Sequence, residues 1–265
     1  MNDIVYVYGF VPDASAIPPQ ALTGINGAPV EVVRSGGVHA VVSHVPHAQF
    51  APDVIEAQIE DLDWVGARGL EHERVVAWFV DHAEILPASL FTMFSSDDAL
   101  EQHAGERAHA VHEALARLRG KREWDLKVTW DQHRLALHAA DVMDNVKSLD
   151  AEIANAAEGR RFLLERKRAE LVKNELSAAA RMRARTMLEL IAVHAIDVVA
   201  LPLPRAADLP VILNAALLVD RASEGTLADM AGREAAELQQ IGIHARLTGP
   251  WAPYRFMESR DAAAG

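Results

Sequence analysis

"EWDLKVTWD", residues 123–131, reads as a strand, and the segments that follow it decide the fold. After a polar, irregular stretch to about Leu149, residues 150–192 form one long helix or two consecutive ones, free of proline and rich in alanine, leucine, arginine and glutamate. Two apolar strands come next, Ile196 to Leu203 and Val211 to Val219, with a proline-rich turn between them. A helix at about Leu227 to Gln240 and a strand at Ile243 to Leu247 complete the run. Counted from Trp124 the order is strand, helix, strand, strand, helix, strand, the ferredoxin-like βαββαβ order on an antiparallel sheet.

Upstream, Ile4 to Val11, Val30 to Arg34 and Val38 to Val45 alternate as half-buried strands. Ser35-Gly36-Gly37 marks a tight hairpin, because glycine tolerates the positive φ such a turn needs. Pro12 to Pro29 is a loop. From Asp53, Ile55, Ile59, Leu62, Val65, Val76 and Phe79 recur at helical spacing, and Gly66 and Gly69 within that helix imply a break or a closely passing backbone. Ile85 to Phe94 reads as a strand interrupted at Pro87. Leu100, Ala104, Ala108, Val111, Leu115 and Leu118 stripe a second helix, opened by Ser95-Ser96-Asp97-Asp98 and closed by Gly120. The expectation is an α+β protein of two domains with antiparallel sheets: an N-terminal domain at 1–121 and a ferredoxin-like domain at 122–265 that carries the long helix 150–192.

Composition narrows the function. The 265 residues carry a formal charge of −12, which opposes general binding to nucleic acid or to an anionic membrane. There is no cysteine, so thiol nucleophiles, disulfides and cysteine-based metal sites are excluded. The N-terminal MNDIVYVYGFVPD lacks the basic region and cleavage site of a secretory signal and reads as a strand. No apolar run approaches eighteen residues, so no membrane span is expected.

Catalytic signals are thin. His109 and His112, three apart on a helix, could face a metal, but no third ligand is signalled and a surface helix explains them. Neither His72-Glu73 nor His112-Glu113 extends to HExxH. His72 lies on the apolar side of its helix, beside Glu73, and is either a tuned acid or base or a satisfied core histidine. GxSxG, GxGxxG and Walker loops are absent. No catalytic residue, metal or cofactor is expected; the alternative is a ferredoxin-like ligand-binding protein or acid/base enzyme that uses His72 and Glu73.

Charge is concentrated in one place. From Arg160 to Arg185 nine basic residues meet three acidic ones, a local +6 in a chain of −12. Arg160, Arg161, Arg166, Lys167, Arg168 and Lys173 are candidates for docking an acidic partner or the acidic first domain; a solvated helix face with i, i+4 pairs such as Arg161 with Glu165 is the plainer reading.

The chain closes with "LTGPWAPYRF", residues 247–256, which puts three aromatics in six residues of a protein only 6% aromatic. This stretch resembles the C-terminal signature of the gas vesicle GvpL/GvpF family, Gly-Pro-Trp-Pro-Pro-Tyr-x-Phe, here Gly249, Pro250, Trp251, Pro253, Tyr254 and Phe256 with Ala252 in place of one proline. "YVYGFV" at 6–11, "GVHAVVSHV" at 37–45, "HERVVAWF" at 72–79, "EILP" at 84–87, "GKREWDLKV" at 120–128 and "GRRFLLERKR" at 159–168 agree in order, with Phe162 at the family's tyrosine position. The family's Arg-Phe-Gly-Thr run is replaced here by Ala88-Ser89-Leu90-Phe91-Thr92. The resemblance implies a non-enzymatic accessory or minor structural protein of gas vesicles, located in the cytoplasm and on the vesicle. Its implied partners are the hydrophobic shell protein, which it keeps from aggregating during nucleation and assembly, and other gas vesicle accessory proteins. Trp251, Tyr254 and Phe256 then either staple the second domain's last strand, with the prolines ending the sheet, or form an exposed partner patch; the staple is favoured, because three aromatics in water would aggregate.

Overall fold

Alternating apolar residues build a first sheet from β1 (Ile4–Val11), β2 (Glu31–Ser35) and β3 (Val38–Val45). The computed structural model describes residues 3–204 and 208–257; the first two residues of the N-terminal segment and positions 205–207 of the proline-rich turn lie outside the described residues. Short helices α1 (His47–Phe50) and α2 (Pro52–Gln58) lead into α3 (Leu62–His82), then β4 (Leu86–Pro87), β5 (Met93–Phe94) and α4 (Asp97–Leu118). The sheet runs β2-β3-β1-β4 with β5 also on β1, and these strands pair antiparallel.

The helical pattern that began at Asp53 does not run through as one helix. Asp61 caps α3, its side chain accepting from the Asp63 and Trp64 amides, so the phase resets between Gln58 and Leu62. Hence Ile59 and Leu62 are exposed, while Val75, Val76, Phe79 and Val80 of the later turns enter the core. Gly66 and Gly69 mark neither a break nor a close backbone: a Cβ at Gly66 would meet nothing within 4 Å, and one at Gly69 only the Leu90 side chain at 4.0 Å. The hairpin at Ser35-Gly36-Gly37 forms as expected, with φ of 56° at Gly36 and 88° at Gly37. A Cβ on Gly36 would lie 2.2 Å from the Gly105 amide nitrogen and 2.4 Å from the Glu101 carbonyl of α4, so the turn and that helix require glycine there.

The second sheet uses β6 (Lys121–Trp130), β7 (Asp197–Ala200), β8 (Val211–Asp220) and β9 (Ile243–Trp251) in the order β7-β8-β6-β9. Numbered along the chain this is 2-3-1-4, the ferredoxin-like arrangement. The stretch after β6, expected to be irregular, is helical: α5 (Gln132–Leu137), α6 (Ala139–Val142) and α7 (Asp144–Ala154). The long helix does not begin at 150; after a break at residues 155–157, α8 spans Glu158–Ala192. Leu176, Ala180, Ala184, Met187 and Ile191, spaced four, four, three and four, form its buried stripe in a core shared with Leu126, Val128, Leu217 and with Leu227 of α9 (Glu224–Gln240).

Contacts group the chain into a unit up to Glu123 that also takes the segment from Pro250 onward, and a unit of Trp124–Gly249. The terminal segment, counted with the second domain in the sequence reading, thus packs on the first. Nor does Pro250 end the sheet: β9 runs through it to Trp251, with Gly249 at φ 148°.

Two glycine substitutions probe these assignments by thermal melting. Gly36→Ala should cost about 2 kcal/mol or more, from the positive φ and the collision with α4. Gly66→Ala, in open space on a helix, should instead stabilise by about 0.5–1 kcal/mol. A destabilising Gly66→Ala would mean that α3 is packed at that point after all.

Candidate functional site

Two places concentrate polar chemistry, one in each unit. In the first unit β1 places Tyr6 and Tyr8 in the interior, with Tyr8 at a register shift between Val7 and Gly9. The Tyr6 hydroxyl lies 2.8 Å from His72 Nδ1 and accepts from the Phe91 amide at 3.2 Å. The assignment that also uses the hydroxyl proton has Tyr6 donating to Nδ1, with the proton of the neutral ring on Nε2. Tyr8 donates to Ser43 Oγ at 2.9 Å and accepts the Ile25 amide at 2.7 Å, and Ser43 donates to the Pro29 carbonyl at 2.6 Å. Burial raises both tyrosine pKa values.

His72 is 3% exposed. Desolvation pulls its pKa from the ordinary 6.5 to about 4, opposed only in part by the Ala88 backbone. Nε2 meets no partner at hydrogen-bonding geometry among the described residues. At neutral pH His72 is a neutral core group that ties α3 to β1. Glu73, its neighbour, serves a different contact: it accepts from the Tyr254 hydroxyl at 3.3 Å, and burial raises its pKa.

That bond places the terminal segment. Tyr254 packs against the first unit's core, in which Ala252 is fully buried, and Phe256 is buried beside them. Glu123, at 0% exposure, binds the Arg255 guanidinium and accepts the Arg255 amide at 3.0 Å. The expected staple on the second sheet is therefore corrected: Tyr254 and Phe256 fasten to the first unit, and Trp251 is 38% exposed. A large loss on removing Trp251, as the staple required, is no longer expected; Phe256 is the aromatic whose truncation should cost about 3 kcal/mol.

In the second unit the candidate basic residues lie on α8, but much of their charge is met locally. Arg168 forms a two-pronged pair with Asp150 of α7 at 2.5 and 3.1 Å, which raises its pKa. Arg166 meets Glu170 at 3.6 Å, Arg160 meets Glu152 at 3.8 Å, and Arg161 donates to the Ala156 carbonyl rather than pairing with Glu165. Lys167 and Lys173 have no ion pair among the described residues. Leu164, Arg168 and Leu171 lie on the less exposed side of α8, while Phe162 and Leu163 stand 67% and 65% exposed, one turn before Arg166 and Lys167. The sequence reading named the charges and missed these two as a surface, because the apolar character of residues 162–164 is what a buried helix turn also shows. His109 pairs with Glu113 at 3.3 Å on the surface, and among the described residues no group of three histidine, aspartate or glutamate side chains is set to hold a metal. No helix among them is long and apolar enough to cross a membrane.

Two α+β units with 2-3-1-4 sheets, joined through β6 and β9, define an architecture found in solved gas vesicle proteins. The fold matches GvpF from Anabaena with a TM-score of 0.69 at 18% identity, and GvpF from Microcystis aeruginosa with 0.67 at 19%, each covering 97% of this chain and 99% of the other. The family model described as gas vesicle synthesis protein GvpL/GvpF matches residues 4–258, so the chain belongs to the GvpL/GvpF family. It is 28% identical to gas vesicle protein L of a Streptomyces species over 95% of this chain and 91% of that protein. Gas vesicle protein L2 of Halobacterium salinarum is 27% identical over 97% and 92%.

The buried imidazole sets a pH dependence. The unfolded chain takes up a proton near pH 6.5 and the folded one not until about 4, so His72 leaves stability intact above 6.5 and erodes it as pH falls through that window. The slope is about 1.4 kcal/mol per pH unit. His72→Gln keeps an acceptor for Tyr6 without the titration, and its melts should fall less between pH 6.5 and 4.5 than those of the wild type. Glu73, with its raised pKa, acts in the opposite direction in both proteins and cancels from the comparison. Parallel acid profiles would show that His72 is not buried neutral.

Proposed function

We propose that this chain is a non-enzymatic accessory or minor structural protein of gas vesicles, in the cytoplasm and on the vesicle. In this reading it binds the hydrophobic shell protein and limits its aggregation during nucleation and assembly, together with other gas vesicle accessory proteins. Family membership supports the gas vesicle role. The observation that carries the binding surface is the outward face of α8, where Phe162 and Leu163 stay in water one turn from Arg166 and Lys167. Burying two such side chains on a partner is favourable by a few kcal/mol before ordering costs, on the order of 1.5–3 kcal/mol each. The positive charges around them favour a partner with carboxylates at the rim.

An acid/base enzyme using His72 and Glu73 has less support. His72 is directed at Tyr6 and Glu73 at Tyr254, and both contacts have structural explanations.

Co-expression with a gas vesicle shell protein tests the proposal. The wild type should co-purify with it and move shell protein from pellet to supernatant. Phe162→Glu with Leu163→Glu should reduce recovery about tenfold or more while leaving the melting temperature unchanged, since neither side chain is buried. Undiminished recovery with the double variant would remove α8 as the surface; no association with wild type, other accessory proteins supplied, would remove the shell-binding role.

A further inference from the structure

The first unit contains a cleft that neither the buried histidine network nor the terminal segment explains. After β4 the chain leaves the sheet at Ala88 and returns at β5, turning back through Thr92, whose amide and hydroxyl both donate to the Ser89 carbonyl. Opposite this interruption, α4 turns Ala104, Arg107, Ala110, Val111 and Ala114 to one side at three-and-four spacing. Three of those five are alanines, too short to fill the space. A cavity of about 290 Å³ results, at the small end of ligand sites. Leu86, Pro87, Ala104, Val111 and Ala114 are the buried part of its wall, and Phe10, Phe94 and Met257 add half-buried apolar surface.

Its polar groups are few. His103 lies against Phe94, ring centres 5.1 Å apart, and Ser89 is exposed. Arg107 is exposed on α4 and makes no hydrogen bond or ion pair among the described residues, although the chain carries twelve more acidic than basic side chains. The adjacent Glu106 accepts instead from Gln102, at 3.2 Å. An uncommitted guanidinium beside an alanine-lined apolar cavity recognises two features at once: a bulky apolar group and an anion close to it.

We propose that this cleft binds an apolar carboxylate, with a group of leucine or phenylalanine size against the alanines of α4 and its carboxylate on the Arg107 guanidinium. A phosphate would demand more donors than one arginine offers, and a cation would be repelled. The chemistry is the same whether the ligand is a free acid or an apolar residue next to an acidic one in a partner polypeptide. The site does not depend on the α8 face or on the gas vesicle role.

Calorimetric titration of the full chain tests it, with 3-phenylpropionate as the free acid and an acetylated, amidated Phe-Glu dipeptide as the polypeptide arm. Saturable one-to-one binding of either probe is expected, weakened about fivefold or more by Arg107→Gln. Ala110→Phe, an exposed position on the cleft wall, should abolish it while the thermal melt stays that of the wild type. The neutral 3-phenylpropanamide should bind as weakly to the wild type as the acid binds to Arg107→Gln. Binding by the acid alone assigns a small-molecule ligand, and binding by the dipeptide alone assigns a polypeptide one. Failure of both probes, or affinity indifferent to both substitutions, overturns the proposal.

Discussion

Glu123, a carboxylate without access to water, dictates what the first unit must place around it. Left unpaired, a buried charge costs several kcal/mol, so the chain must bring it a cation and donors. It does so with the guanidinium and amide of Arg255. Glu123 stands near the start of β6, where the chain leaves the first unit; Arg255 follows β9, by which it returns. The pair therefore fixes where the terminal segment sits, with Tyr254 on Glu73 and Phe256 in the interior. Gly-Pro-Trp-Ala-Pro-Tyr is the path that delivers it: Gly249 takes a backbone conformation that side chains resist, and Ala252 is fully buried in the core.

The two sheets share a strand order reached by different connections. In the second, helices α5 to α8 carry the chain from the first strand of the sheet to the second; in the first, the corresponding link is the loop at 12–29 with a single 3-10 turn at Ile25–Gly27. The loop is not idle. Its Ile25 amide, Pro29 carbonyl and Thr23 carbonyl bond to Tyr8, Ser43 and Arg74, so buried hydroxyls and an arginine do the covering that a helix does elsewhere. Tyr6 and His72 extend the same solution to α3. Hydrogen bonding among these groups occupies the buried hydroxyls of Tyr6, Tyr8 and Ser43.

Charge on α8 follows a related logic. Nine basic residues in one stretch would repel one another, and the helix pair answers with Asp150, Glu152 and Glu170 rather than leaving the whole field for a partner. What remains outward is a smaller, mixed surface of lysine with exposed phenylalanine and leucine. Such a surface pairs with a partly apolar partner better than a bare basic stripe would, because desolvation of two side chains supplies affinity while the lysines set orientation.

The sequence alone determined most of the elements. Alternating runs marked β1 and β3, strand-like and apolar runs marked β6 and β8, Ser96 and Gly120 bracketed α4, and the order after Trp124 implied the ferredoxin-like sheet. The burial of His72 was also legible, since it shares a helix face with Val76 and Phe79. Local pattern failed where two explanations share one signal. The helix through Asp53 was read as continuous because a stripe does not show a phase reset, which depends on the Asp61 cap. The stretch after β6 looked irregular because α5 and α6 are too short for a stripe to repeat. Tertiary structure decided the rest: which unit the last aromatics cover, which arginines spend their charge on neighbours, and where three alanines leave a cavity. The place of the last aromatics depends on residues more than a hundred positions apart, Glu123 and Arg255, and no periodicity along the chain encodes a partner at that distance.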